Sequence, residues 1–431
     1  MDISVLYQYF EACTSVTTDS RNCPAGSLFF ALKGENFNGN AFARKAIESG
    51  CRYAVIDEAE YADESCPQLL YVENCLEALQ KLANYHRRKL GTPVIGITGT
   101  NGKTTTKELI AAVLQQKYNV LYTQGNFNNH IGVPLTLLQL KPEHELAVVE
   151  MGANHPGEID TLVHIAEPDF GIITNVGRAH LEGFGSFEGV IRTKGELYDY
   201  LRGKEGSKIF LQNENPYLNR IASGLDCIRY GAEDGLFVSG KVTGCSPYLS
   251  FTWKHADGPQ HAVDTHLIGA YNIDNALAAA AIGTYFKVDE EAICHALATY
   301  IPQNNRSQLK DTGHNLLIVD AYNANPTSMM AALTNFAAMK AEKKMVVLGD
   351  MKELGTASRE EHQRIADFLQ LAAFDEVFLV GTEFAAVNHP FQVFATVSDA
   401  VAYFQQHRPE GYHILIKGSN SMKLSVLPDS L

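Results

Sequence analysis

A chain of 431 residues with 45% hydrophobic and 19% charged content can bury several cores and exceeds the length of one ordinary domain. Its formal charge of -14, from 49 acidic and 35 basic residues, excludes a duplex-sized nucleic-acid surface, which needs a basic face, and leaves only local anion sites. The opening MDISVLYQYFEAC has no basic region followed by an apolar run, and no stretch of about 18 uncharged apolar residues occurs, so a cytoplasmic protein without a membrane span is expected.

To about residue 90, short strand patterns (SLFFALK, RYAVID, LLYV) mix with helical ones (AFARKAIESG, CLEALQKLANYHRRKL), as in a small α/β domain. Gly91-Thr92-Pro93 punctuates its exit. Beyond Pro93, buried strands alternate with helices: PVIGITG, TTTKELIAAVLQQKY, NVLYT, VPLTLLQL, LAVVEMG, EIDTLVHIA, FGIITNV. Continuous apolar strands separated by amphipathic helices imply a mostly parallel sheet covered on both faces. Between about Phe237 and Leu267 the pattern changes to alternating strands, a small antiparallel sheet, followed by the alanine-rich helix NIDNALAAAAIGTYF. From Asn315 a third set (LLIVDA, PTSMMAALTNFAAMK, KMVVLGDM, SREEHQRIADFLQL, EVFLVG, SDAVAYFQQH, HILIKGS) predicts a Rossmann-like domain. The expected organisation is three α/β domains, 1–90, 91–304 and 305–431. Eight cysteines carry no C-x-x-C pair and no His partner at zinc spacing, so reduced thiols are expected.

The chemistry gathers at strand ends. Residues 96–107, GITGTNGKTTTK, follow an apolar strand and open a helix, the context of a phosphate loop, although Ile97 stands where the usual pattern has glycine. Glycines let backbone N–H groups approach phosphate oxygens, the helix N-terminus favours negative charge, Lys103 can reach the outer phosphates and the Thr104 hydroxyl can ligate Mg²⁺. The expected nucleotide contacts are Gly99, Thr100, Asn101, Gly102, Lys103, Thr104 and Thr105. In LAVVEMGANHPGEID, Glu150 emerges at the C-terminal edge of the sheet, where it could hold a metal. After FGIITNV, His180, Lys194 and Glu196 could face the same crevice. The competing readings are a surface carboxylate, a structural histidine and a solvated lysine.

Together these stretches resemble the Mur ligase superfamily, ATP-dependent amide-forming enzymes of peptidoglycan synthesis, in which the phosphate loop takes the form TGTNGKT and Ile97 is no anomaly. VVEMGANHPGEI, ITNVGRAHLEGFGS, VDAYNANPTSMMAAL and LGDMKELG are similar to the branch that adds D-alanyl-D-alanine to UDP-N-acetylmuramoyl-tripeptide. The resemblance implies an N-terminal domain for the UDP-sugar peptide, a central ATPase and a C-terminal domain for the incoming dipeptide. It also implies ATP and Mg²⁺, with Lys103, Glu150, His180 and Lys194 catalytic and Thr104, Glu150, His180 and Lys194 serving the metal. In several members the lysine matching Lys194 is carbamylated. Asn272 and Asn275, whose alternative is helix capping, match adenine contacts. Arg306 matches an arginine that reaches the phosphates, and Asp320 a ribose contact. Ser20, Arg21 and Lys33 fall on the uridine side. Asn126, Asn128 and Asn129 face the substrate, and Asn323, Asn325, Lys417 and Ser419 lie on the dipeptide side. Asn38-Gly39-Asn40 departs from a common Asp-Gly-His, and Gly418-Ser419-Asn420 from Gly-Ser-Arg. Other amino-acid ligases of Mur or folylpolyglutamate type, and an ATP-binding regulatory module, are the alternatives; a monomer suffices for a site built within one chain.

Overall fold

The structure, a computed structural model, describes residues 1–302 and 306–431. The expected boundary between the second and third domains, at 304/305, lies outside the described residues.

The first sheet orders its strands Val16–Thr17, Leu28–Phe30, Tyr53–Ile56 and Leu69–Tyr71, all parallel. The helix Ile3–Glu11, which the sequence pattern did not disclose, starts where Asp2 accepts a hydrogen bond from Ser4 N. The helix Cys75–Leu90 starts on Asn74, whose side chain accepts from Glu77 N, and stops at left-handed Gly91. Its apolar face, Leu79, Leu82 and Ala83, joins Val133, Leu137, Ile159 and Leu162 in one continuous core. At its end Arg88 pairs with Glu167, and Arg87 reaches Glu167 and Asp169. The first domain is therefore seated on the second through a helix with an apolar face and a basic end.

The central sheet has nine strands, ordered His261–Ile268, Tyr248–His255, Val238–Cys245, Cys227–Gly231, Lys208–Gln212, Phe170–Ile173, Val94–Thr98, Leu146–Glu150 and Val120–Tyr122. Only the first two pairings are antiparallel. The expected small antiparallel sheet is thus a wing of the main one, because Val238–Cys245 pairs parallel with Cys227–Gly231 before the chain turns back on itself. Strands Lys208–Gln212 and Cys227–Gly231 bridge the two regions and were not anticipated. The helix Lys103–Leu114 packs on Ile273–Tyr285, whose buried alanines 276 and 278–281 allow a close approach.

The third sheet is ordered Gln308–Asp311, Leu316–Asp320, His413–Lys417, Lys344–Gly349, Glu376–Val380 and Gln392–Phe394, parallel except for the first pairing, with an apolar core on each face. All eight cysteines are free thiols. Among the described residues no helix is long and apolar enough to cross a membrane.

Candidate active site

Val94–Thr98 is buried at every position and delivers the chain to a tight loop at the sheet's C-terminal edge. Two of its glycines are required by space and by conformation. Gly99 has φ 144° and a Cβ there would lie 2.0 Å from Thr174 Oγ1; Gly102 has φ 77° and a Cβ would lie 2.7 Å from Asn275 Oδ1. Asn175 braces the loop by accepting from Thr100 N at its carbonyl and from Asn101 N at its side chain, both at 3.0 Å. The helix from Lys103 starts on Gly102 without a side-chain cap, so its first turn is not closed to an anion. Lys103 Nζ donates to Gly99 O at 2.8 Å and Thr100 O at 3.2 Å. Burial pushes its pKa down, opposed by the nearby Glu150 carboxylate.

Glu150 closes the buried strand Leu146–Glu150 and is 1% exposed. Its carboxylate accepts from Thr104 Oγ1 at 3.0 and 3.2 Å and from Asn128 Nδ2 at 2.9 Å. A carboxylate and a hydroxyl at the foot of a phosphate loop are hard oxygen donors, the kind Mg²⁺ takes alongside phosphate and water. Behind them lies Lys107, unforeseen in the sequence, its ammonium 4.0 Å from Glu150 and without a hydrogen-bond partner. Burial lowers its pKa while Glu150 and Glu108 raise it.

His180 lines the cavity, and its Nδ1 meets the Glu353 carboxylate of the third domain, while burial holds its pKa down against that partner's pull. Among the described residues no three His, Cys, Asp or Glu converge on one point, so Glu150 and His180 do not form an all-protein metal cage. Lys194 is buried, donates to Ala153 O at 3.1 Å and sits 5.1 Å from the centre of the Phe184 ring. Burial lowers its pKa well below the usual lysine value, and Lys103 adds to the effect. Glu196 accepts from Gly157 N and Asp160 N at 2.8 Å, which fixes it to the start of the helix Glu158–Ala166.

The two asparagines of YNIDN are buried at the cavity wall. Asn272 Nδ2 donates to Ile268 O, and Asn275 Nδ2 to Asn272 Oδ1, both at 2.8 Å, while Asn275 Oδ1 accepts from Thr106 Oγ1 at 2.9 Å. Asn272 occupies the N-cap position of the helix Ile273–Tyr285, but its side chain makes no capping hydrogen bond; Asn275 lies within the helix and props Gly102. Arg306 lies 3.7 Å from the centre of the Tyr322 ring, a cation–π contact. Asp320 and Lys417 end neighbouring parallel strands and pair at 2.5 Å; Lys417 also donates to Asn323 O at 3.2 Å.

One cavity of about 960 Å³ joins Lys103, Thr104, Glu150, His180, Asn272 and Asn275, while Lys107, Lys194 and Glu196 lie outside its lining. Leu76 and Gln80 reach it from the first domain; Thr105, Asn126, Asn128 and Asn129 line it with the phosphate loop from the second; Arg306, Asp320, Asn323, Asn325 and Lys417 come from the third. Other expected contacts stand apart from it. Ser419 holds two loops together, accepting from Lys352 N at 3.0 Å and donating to Ala324 O at 3.4 Å. In the first domain Arg21 pairs with Asp19, and Ser20 is half-exposed beside it. Lys33 pairs with Asp57 at 3.3 Å and Glu58 at 2.9 Å. Asn40 explains one departure: its amide donates to Asp57 Oδ1 at 2.8 Å and accepts from Asp57 N at 2.9 Å, a fit to the fold.

Residues 13–87 match the Mur ligase family, catalytic domain; residues 97–283 the Mur ligase middle domain; and residues 305–420 the Mur ligase, glutamate ligase domain. The chain belongs to the Mur ligase family. It is 35% identical over 427 residues to the UDP-N-acetylmuramoyl-tripeptide–D-alanyl-D-alanine ligase of Bacillus subtilis, covering 96% of this chain and 92% of that one. The ligase of the same name from Escherichia coli is 36% identical over 419 residues, covering 94% and 91%. Among solved structures, MurF from Acinetobacter baumannii superposes with a TM-score of 0.89 at 30% identity, covering 100% of this chain and 98% of that one. MurF from Thermotoga maritima in complex with ADP gives 0.85 at 25% identity, covering 98% and 97%.

Proposed function

We propose that this chain is an ATP-dependent ligase that joins D-alanyl-D-alanine to UDP-N-acetylmuramoyl-tripeptide in peptidoglycan precursor synthesis. The observation that carries the reading is the phosphate loop opening into a cavity walled by all three domains, room for three substrates to meet. Relatives that share about a third of their residues over nearly their whole length bear this name. In this scheme residues 1–90 take the UDP-sugar peptide, 91–304 the ATP and 305–431 the dipeptide.

A carboxylate resists attack by an amine because its leaving group would be oxide. The tripeptide's terminal carboxylate therefore attacks the γ-phosphorus of ATP, giving an acyl phosphate and ADP. The dipeptide nitrogen then attacks the acyl carbon, the C–O bond breaks, and phosphate and a proton leave. Lys103 and the first turn of its helix hold the phosphates; Arg306, carried in by the third domain, faces the same charge. Thr104 and Glu150 would hold magnesium, which when bound would supply further positive charge beside the transferred phosphoryl group. Asn128 keeps the Glu150 carboxylate aimed at the loop. Closure of the three walls excludes water that would hydrolyse the acyl phosphate. We place the reaction in the cytoplasm and in a single monomer, since all the walls come from one chain.

Incubation with ATP and the UDP-linked tripeptide, without dipeptide, tests the intermediate. Hydroxylamine should trap a hydroxamate of the tripeptide in amounts matching the ADP formed, and added dipeptide should suppress it. ADP formation with no trapped hydroxamate, whatever the nucleophile concentration, would remove the acyl phosphate from the scheme.

A further inference from the structure

Two residues assigned separately by sequence, Asn101 to the nucleotide and Asn325 to the dipeptide, are bonded to each other. Asn325 Nδ2 donates to Asn101 Oδ1 at 2.8 Å, and Asn101 Nδ2 donates back to Asn325 Oδ1 at 3.4 Å. Both amides are rigidly mounted. The Asn101 carbonyl accepts from Thr174 Oγ1 at 2.6 Å and Asn175 Nδ2 at 2.9 Å, which pins the backbone to the neighbouring strand end. Asn325 caps the helix Pro326–Ala338, exchanging hydrogen bonds with Ser328 in a capping box.

The seam around the pair is built from the same two domains. Arg178 N donates to Thr327 Oγ1 at 3.0 Å, Arg178 pairs with Glu361 at 2.9 Å, His180 meets Glu353, and Glu182 N donates to Glu353 O at 3.3 Å. Most of these are side-chain contacts at the rim, where water and salt weaken charge pairs; Arg178 is half-exposed. The amide pair is the contact that touches the phosphate loop itself.

We propose that Asn325 is a positioning residue: through its reciprocal amide pair with Asn101 it docks the third domain onto the phosphate loop, so that the loop's arrangement sets where the dipeptide amine is presented. An amide carries an NH₂ donor and a carbonyl acceptor at fixed spacing, so two facing amides can exchange hydrogen bonds, which Ala and ionised Asp cannot do and the shorter Ser cannot reach to do. Being neutral, the pair forms and breaks with little desolvation cost, which suits a joint opened at each turnover. Two such bonds bias the docked arrangement roughly tenfold. The catalytic consequence rests on the ligase reading above; the conformational one does not.

Asn325→Ser separates docking from capping, because Ser is a favoured N-cap yet too short to reach Asn101. The variant should melt with the wild type, show a larger radius of gyration in substrate-free solution scattering, and lose about tenfold in kcat with dipeptide while ATP affinity is kept. Asn101→Ser should reproduce the scattering change without touching the cap. The double variant should be no more expanded than either single one, since both remove the same contact. Unchanged scattering in both single variants, or additive expansion in the double, would overturn the proposal. A wild-type protein inactive with the dipeptide would count against the ligase reading alone, because the scattering results decide the docking pair independently.

Discussion

Lys103→Ala should lower kcat/KM for ATP by about a thousandfold or more, the scale seen when a preorganised charge is taken from a site where negative charge builds up. The lysine's position explains the size. Its ammonium is held over the loop by two of that loop's own carbonyls, at 2.8 and 3.2 Å, so its place is set before any nucleotide arrives. Burial already presses its pKa down and Glu150 holds it up, so a bound phosphate becomes a favourable partner for a cation kept at a cost. Lys103→Arg should not restore turnover, because a planar guanidinium cannot enter a seat shaped for a point charge between two carbonyls. The fold should survive both changes, since the helix start is set by Gly102 and its strand is buried throughout. Steady-state kinetics beside a thermal melt checks this; an alanine variant within tenfold of the wild type would remove Lys103 from the phosphate site.

Lys194→Ala should cost about a hundredfold or more in kcat. Lys194 is among the largest fully buried side chains, yet it makes one hydrogen bond, to Ala153 O, and otherwise rests near the Phe184 ring. An ammonium so placed is poorly paired, and burial together with the charge of Lys103 favours the neutral amine. A neutral amine can attack CO₂: the nitrogen bonds to carbon, a proton leaves, and a carbamate anion stands where the cation stood. The new charge then complements Lys103 and can serve the metal, as the family resemblance implies. Intact-protein mass spectrometry under native conditions should show a gain of one CO₂ that disappears in Lys194→Ala, and small carboxylates should partly restore the variant's turnover. An alanine variant with near wild-type kcat would end this role; a full loss without the mass gain or rescue would leave the lysine working as an amine.

What the sequence disclosed follows from how local each feature is. The phosphate loop was legible because strand, glycines, Lys103 and helix are contiguous, and Glu150 because it ends a five-residue buried run. Four strands of the third sheet were legible for the same reason, as short apolar runs between helices, whereas Gln308–Asp311 and Gln392–Phe394 were passed over because QLKD and QVF are brief and partly polar. The strands Lys208–Gln212 and Cys227–Gly231 were passed over because KIFLQ and CIRYG are brief and carry polar residues. Their pairing makes the expected small antiparallel sheet continuous with the mostly parallel one, a long-range connection that no periodicity encodes.

The site divides along the same line. That Asn275 props the phosphate loop, that His180 faces Glu353 and that Asn101 meets Asn325 are all contacts between distant segments, visible only when the domains are packed. Lys107 was missed because a lysine in an amphipathic helix ordinarily reaches solvent; here it is buried behind Glu150. Glu353 lies in LGDMKELG, a motif whose sequence gave a family signal and no partner.

The most direct test of the account is product formation by the purified protein with ATP, magnesium and UDP-N-acetylmuramoyl-tripeptide, offered D-alanyl-D-alanine or single amino acids in turn. Phosphate release should track the dipeptide, and mass spectrometry should find the UDP-linked pentapeptide in equal amount. Release driven by single amino acids but not by the dipeptide, or ATP turnover indifferent to both co-substrates, would contradict it.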